Sequence, residues 1–219
     1  MKKVFITDFD GTMTRNEFYQ LVLTDVLKAQ VNQDDEWERY LKGEITHFEV
    51  LSYYFSLINI PEEKLIKLLE KMEFHPDTPH WIRELEKAGW HIVVASAGCD
   101  WYVRKILLQN GLKLELHTNH GIYSEKGGLH LTKPYDSPFY DENVGISKEK
   151  ITQHYLCQCE EVVYAGDGKP DLNALLQIKP ENRFARGWVA TELTKMKEPF
   201  TSFDSWNDCA QSLLSRKTA

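Results

Sequence analysis

The run Val4-Phe5-Ile6-Thr7 is almost wholly apolar and meets two carboxylates and a glycine at Asp8-Phe9-Asp10-Gly11. An apolar run of this length reads as a buried strand, and the glycine marks its end. The next stretch has a different rhythm. Phe18, Leu21, Val22 and Val26 recur at helical spacing and predict a helix over 17–30. Trp37, Tyr40 and Leu41 share one face of a second helix over 34–42. Thr46-His47-Phe48-Glu49 is a capping box that opens a third, running to about Leu57. Pro61 takes the first position of a fourth, with Leu65, Ile66, Leu68, Leu69 and Met72 behind it. No convincing strand separates these helices, so 15–75 is expected to form an all-helical cap inserted behind the first strand.

Alternation of strand and helix resumes beyond that block. Thr78-Pro79 starts a helix that Gly89 ends, and 90–95 is the next strand, terminating in Ser96-Ala97-Gly98. A helix over 101–110 stops at Gly111, and a third strand covers 114–118. Residues 119–146 read as a long loop with a weak hairpin signal at Gly127-Gly128, and loops of that length are usually functional. Ser147 caps a helix to about Cys157, a fourth strand covers 161–165, and Gly166-Asp167-Gly168-Lys169-Pro170-Asp171 leads into another helix. A short strand at 183–185 and a tail of helix, extended piece and helix over 188–219 complete the chain. This pattern predicts an α/β fold, a parallel sheet with helices on both faces. The expected division is a core of 1–14 and 76–219 around the cap.

Composition narrows the function classes. The 219 residues are 42% hydrophobic and 27% charged, enough for a real core. The net charge is −7 and no long Lys/Arg run occurs, which argues against nucleic acid and leaves an anionic ligand dependent on local cations or a metal. Cys99, Cys157, Cys159 and Cys209 form neither a disulfide framework nor a zinc pattern and are expected to be free thiols. No stretch approaches the roughly 20 apolar residues of a membrane span, so no membrane association and a cytoplasmic location are expected. The aromatic residues of the helical block, such as Tyr53 and Tyr54, suit a cap core better than a partner, and monomer and homodimer both remain open.

Asp8 and Asp10 are two apart, so on an extended backbone they share one face or one end of the strand. Two crowded carboxylates repel unless a cation or a proton relieves them. In parallel sheets ligands gather beyond the carboxyl ends of the strands. There Asp8 and Asp10, Ser96 and Asp167 would meet, an oxygen-rich set suited to magnesium and a phosphate. Glycines at 11, 98 and 168 would allow backbone N–H groups to approach phosphate oxygens.

Asp8-Phe-Asp10-Gly11-Thr12, Ser96, Lys148 and Gly166-Asp167-Gly-Lys-Pro-Asp171 resemble, in order and in spacing, the four signatures of the haloacid dehalogenase superfamily. The resemblance covers nearly the whole chain and implies a three-layer Rossmann-like core with a C1-type cap. It implies Asp8 as nucleophile forming an aspartyl-phosphate, and Asp10 as general acid then base. It implies Mg2+ held by Asp8, the carbonyl of Asp10 and Asp167, with Asp171 a ligand or a supporting carboxylate. Gly11, Thr12, Ser96, Ala97, Gly98 and Lys148 would surround the phosphoryl group. Lys148 lies in the first turn of its helix, where a cation opposes the macrodipole and a purely structural lysine is unfavourable. Lys150 and Lys133 are its competitors.

Glu17 sits at the offset of the cap glutamate that contacts substrate in phosphoserine phosphatases, and a helix-start glutamate favoured by the dipole is the alternative. Arg15 is either a substrate contact or a solvated hinge residue. Within the superfamily the chain resembles the phosphoserine-phosphatase-like branch, and in it the methionine-salvage phosphatases, through Thr118-Asn119-His120, the long following loop and Arg183-Phe-Ala-Arg186. The expectation is a phosphatase of a small phosphorylated metabolite. A phosphomutase of the same superfamily and a non-enzymatic phospho-acceptor module are the alternatives.

Overall fold

The structure, a computed structural model, describes residues 3–28 and 33–216. Its centre is a seven-stranded sheet in the order β4-β3-β2-β1-β7-β8-β9. The strands are β1 (Lys3–Thr7), β2 (Trp90–Cys99), β3 (Glu115–Ser124), β4 (Gly128–Thr132), β7 (Glu161–Gly166), β8 (Arg183–Ala185) and β9 (Thr201–Ser202). A separate two-stranded ribbon pairs β5 (Tyr140–Asp141) with β6 (Gly145–Ile146). All pairings in the large sheet are parallel except that of β3 with β4. β1 is central, with Phe5 opposite Ile92 on one side and Val163 on the other.

Alternation along the central strands builds two cores. Phe5, Ile92, Val94 and Val163 point to one face with Leu85, Ile106 and Trp206. Val4, Ile6, Val93, Ala95 and Tyr164 point to the other with Ile151, Leu175 and Val189. The helices α5 (Thr78–Lys87), α6 (Asp100–Gln109) and α10 (Trp206–Ser215) carry the first set, and α7 (Lys148–Gln158), α8 (Leu172–Gln177) and α9 (Gly187–Met196) the second. A sheet covered on both faces needs strands that are apolar on both, which is how β1, β2 and β7 read.

Between β1 and β2 lie α1 (Phe18–Leu21), a π-helical turn over Val22–Leu27, α2 (Gln33–Leu41), α3 (His47–Ser56), α4 (Glu62–Leu68) and a 3-10 turn over Leu69–Met72. The capping box at Thr46 is present in full, with Glu49 donating its backbone N–H to the threonine hydroxyl and accepting from Thr46 N. The helix expected over 17–30 is shorter and irregular, ending at Lys28 with φ +48° and ψ −124°, and its last two residues lie outside the described ones. Pro61 stands one residue ahead of α4, as its cap. The block shares the first core: Phe18 stacks on Tyr102 of α6 at 4.5 Å and meets Phe55 of α3 edge-on at 5.2 Å.

Two other expectations change. β2 does not stop at Ala95 but continues through Ser96-Ala97-Gly98 to Cys99, because Asn119 on β3 extends the pairing. The stretch 119–146 is not an open loop: β3 runs to Ser124 and turns back as β4, and the β5–β6 ribbon follows. The β3–β4 hairpin reaches the helical block, with the Tyr123 hydroxyl donating to the Ile60 carbonyl at 2.8 Å. All four cysteines are free, as their spacing indicates. Among the described residues no helix is long and apolar enough to cross a membrane. The residues 217–219 of the expected tail lie outside the described ones.

Candidate active site

The carboxyl ends of β1, β2 and β7 converge on one small cavity. Asp8, Asp10, Ser96, Ala97, Gly98, Lys148, Asp167 and Gly168 line its floor. Glu17, Tyr19 and, from α3, His47, Leu51 and Phe55 face them. The strand ends are forced together because β1 is hydrogen-bonded to both β2 and β7, so whatever follows each strand emerges at one edge.

Lys148 is the electrostatic pivot. It is buried at the start of α7, with its ammonium 2.7 Å from Asp8 Oδ1 and 2.7 Å from Asp171 Oδ1. Burial works against its charge, yet Asp171 and Asp8 outweigh it and push its pKa up. Lys150 bonds instead to the Tyr140 carbonyl and Asp141, and Lys133 pairs with Glu142, so neither competitor reaches the cavity floor.

Asp8 Oδ1 also accepts the Phe9 N–H at 2.7 Å, and no described donor bonds to Oδ2. Asp171 is saturated: Oδ1 takes Lys148 and the Tyr164 hydroxyl, both at 2.7 Å, while Oδ2 takes the backbone N–H of Gly168 at 2.9 Å and of Asp167 at 3.3 Å. A carboxylate offers about four lone-pair sites, so these donors use them up. Asp171 thereby folds the loop that presents Asp167. Thr12, expected among the phosphate contacts, spends its hydroxyl on Asp167 Oδ1 at 2.7 Å. Gly11 has φ +68°, and a Cβ there would stand 2.3 Å from Asp167 Oδ2. Only glycine permits that approach.

Asp10 is held separately. Its Oδ1 accepts the Phe18 N–H at 3.0 Å, and its Oδ2 accepts the Tyr102 hydroxyl at 2.5 Å and Ser96 Oγ at 3.5 Å. Ser96 Oγ in turn accepts the Gly98 N–H at 3.1 Å. Asn119 steadies the same segment by donating to the Ala97 carbonyl at 3.0 Å. Tyr102 and Phe18 carry no motif, and only their helical spacing marks them as core residues.

Four carboxylates therefore crowd around one ammonium. Burial, then repulsion from Asp171, raises the pKa of Asp8 and of Asp167, and burial raises that of Asp10 against its Tyr102 and Phe18 donors. Burial with Asp167 and Asp10 nearby pushes Glu17 up to about 8. Oxygens of Asp8, Asp167 and Asp171 lie within 4.8 Å of one another. An all-oxygen, surplus-negative set of this kind fits a hard divalent cation, which would relieve the repulsion. Arg15 is not brought to this place. It is exposed, 3.9 Å from Glu73, and lines a separate cleft with Phe74 and Arg186. Arg183 is structural, bonded to the Ile178 carbonyl and Glu198.

Residues 5–176 match the family model of haloacid dehalogenase-like hydrolases, and the chain belongs to that family. It is 26% identical over 178 residues to a phosphoserine phosphatase of Methanocaldococcus jannaschii, covering 78% of this chain and 80% of the relative. It is 22% identical over 214 residues to a 2-hydroxy-3-keto-5-methylthiopentenyl-1-phosphate phosphatase of Bacillus pumilus, covering 94% and 89%. Among solved structures, a substrate-bound phosphoserine phosphatase complex superposes with a TM-score of 0.69 at 19% identity, covering 97% of this chain and 98% of that one. A phospho-aspartyl intermediate analogue of phosphoserine phosphatase superposes with a TM-score of 0.68 at 20% identity, covering 96% and 98%.

Proposed function

We propose that the protein is a cytoplasmic, magnesium-dependent phosphomonoesterase that hydrolyses a small phosphorylated metabolite through an aspartyl-phosphate on Asp8. The carrying observation is Lys148, locked 2.7 Å from both Asp8 and Asp171 at the cavity floor with Asp167 alongside. The phosphatase names of the relatives support the reaction class. In this reading 15–75 is the cap and 1–14 with 76–219 the catalytic core.

Asp8 forms a bond to phosphorus as the ester P–O bond breaks, and Asp10 delivers a proton to the departing alcohol oxygen. A water then attacks the phosphoryl group. Asp10 takes its proton, the bond to Asp8 breaks, and inorganic phosphate leaves with Asp8 restored. Lys148, Ser96 and the backbone of 97–98 hold the phosphoryl oxygens, where placed charge governs the rate. Asp8, Asp167 and the carbonyl of Asp10 would hold magnesium, which would supply counter-charge to the phosphoryl oxygens. Asp171 acts through Lys148 and the 167–168 backbone, and Thr12 through Asp167.

The deciding experiment is phosphate release from a metabolite panel with magnesium and with chelator, wild type beside Asp8→Asn. Release should need magnesium and vanish in the variant; equal release by both proteins overturns the mechanism. Stoichiometric release of inorganic phosphate also sets the enzyme apart from a mutase.

A further inference from the structure

The wall facing the departing alcohol consists of Glu17, Tyr19, His47, Leu51 and Phe55. It offers one carboxyl group, two aromatic rings, an aliphatic side chain and an imidazole. Burial pulls His47 down to about 4, so its ring presents neutral nitrogens. Lys148 is the only other basic side chain lining the cavity among the described residues, and it already bridges Asp8 and Asp171. The phosphoryl group claims what remains of it.

Lys169, Arg39 and Arg15 lie outside the cavity lining. Lys169 sits over the Tyr40 ring at 4.6 Å, Arg39 pairs with Glu36 at 2.9 Å, and Arg15 lines the separate cleft. Residues 29–32 are Ala-Gln-Val-Asn and contain no basic residue. The cavity is also small, about 60 Å³ against about 610 Å³ for the cleft that Arg15 lines.

We infer that the substrate is a phosphomonoester of a small alcohol that bears no carboxylate and presents a hydroxyl or ammonium donor to Glu17, with a short apolar edge against Leu51 and Phe55. This rests on the phosphatase reading above. A carboxylate on the alcohol would be stripped of water with no charged basic side chain on this wall to receive it, and would push Glu17, already at about 8, further up, whereas an ammonium would draw Glu17 into its charged form. The inference separates this chain from a phosphoserine phosphatase despite the similarity to one.

Two matched pairs test it, each differing in the carboxylate: phosphoethanolamine against O-phospho-L-serine, and glycerol 3-phosphate against 3-phosphoglycerate. Each compound is scored as substrate and as inhibitor of p-nitrophenyl phosphate hydrolysis with magnesium, so that slow substrates still report. The carboxylate-free member of each pair should be favoured roughly 100-fold in kcat/KM, or in inhibition constant. Equal or better handling of O-phospho-L-serine or 3-phosphoglycerate overturns the inference and leaves the phosphatase reading intact. Phosphate release from none of the four compounds and none from p-nitrophenyl phosphate overturns both. Tyr19→Arg adds the missing cation while keeping a group that can stack on Trp37, as Tyr19 does at 4.7 Å. It should narrow the ratio about tenfold; an unmoved ratio in a variant that still hydrolyses p-nitrophenyl phosphate overturns the charge argument.

Discussion

The Tyr102 hydroxyl lies 2.5 Å from Asp10 Oδ2, and its ring stacks on Phe18, whose own N–H holds Asp10 Oδ1. One aromatic pair thus fixes both oxygens of the proposed acid and base, one through α6 and one through the start of the helical block. A Cβ on Gly98 would stand 1.6 Å from the same hydroxyl, so the glycine that follows Ser96-Ala97 makes room for this bond. Tyr102→Phe removes the donor and keeps the stack. A hydrogen bond to a charged group contributes about 1.5–3 kcal/mol, so the thermal midpoint should fall by several degrees, and kcat roughly 10- to 100-fold as Asp10 loses its orientation. Steady-state kinetics beside a melting curve reads both.

Lys148→Met leaves Asp8 and Asp171 buried without their shared cation. Removing one partner of a buried pair costs about 3–5 kcal/mol, so the urea midpoint should drop sharply along with turnover. Retention of wild-type stability would show that the carboxylates do not depend on this ammonium.

Magnesium should raise the thermal midpoint of the wild type, because a cation bound only by the folded state stabilises it by mass action. At a hundredfold excess over its dissociation constant the gain is about 2.7 kcal/mol. Asp167→Asn should lose most of that shift. The readout is calorimetric and needs no substrate.

At the other end of the strands, Glu115 accepts from His117 and His91, each at 2.7 Å, and from Tyr155 at 2.5 Å. The His117 contact leads, ahead of the opposing burial and with Tyr155 and His91 assisting, in pulling the Glu115 carboxyl down to about 2. A depressed carboxyl contributes stability that is full above its ordinary value near 4.5 and is lost as pH falls through about 2. The side chain is about a third exposed, so solvent screening leaves about 1 kcal/mol. Glu115→Gln should be less stable than the wild type by that amount at pH 7. The gap should shrink below pH 4.5, measured by urea denaturation across the range.

The chain's local order largely dictated the fold. Val4–Thr7, the capping box at Thr46 and the glycines closing helices at 89 and 111 report their structure through short-range chemistry, and so do the carboxylates at strand ends. Hydrophobic periodicity could not reveal that β2 runs on to Cys99, because that pairing is made with Asn119 on another strand. In 119–146 the glycines at 127–128 do mark the β3–β4 turn, but the strand residues on either side of it carry no clean apolar alternation. The same limit applies at the opening motif. The two-residue spacing of Asp8 and Asp10 raises the expectation of a cation site from crowding alone, while the clustered oxygens in the structure are those of Asp8, Asp167 and Asp171. Which lysine neutralises Asp8, what saturates Asp171, why Thr12 turns to Asp167 and how Tyr102 reaches Asp10 depend on packing between elements up to 155 residues apart. Contacts of that range leave no period in the sequence, so only the tertiary structure decides them.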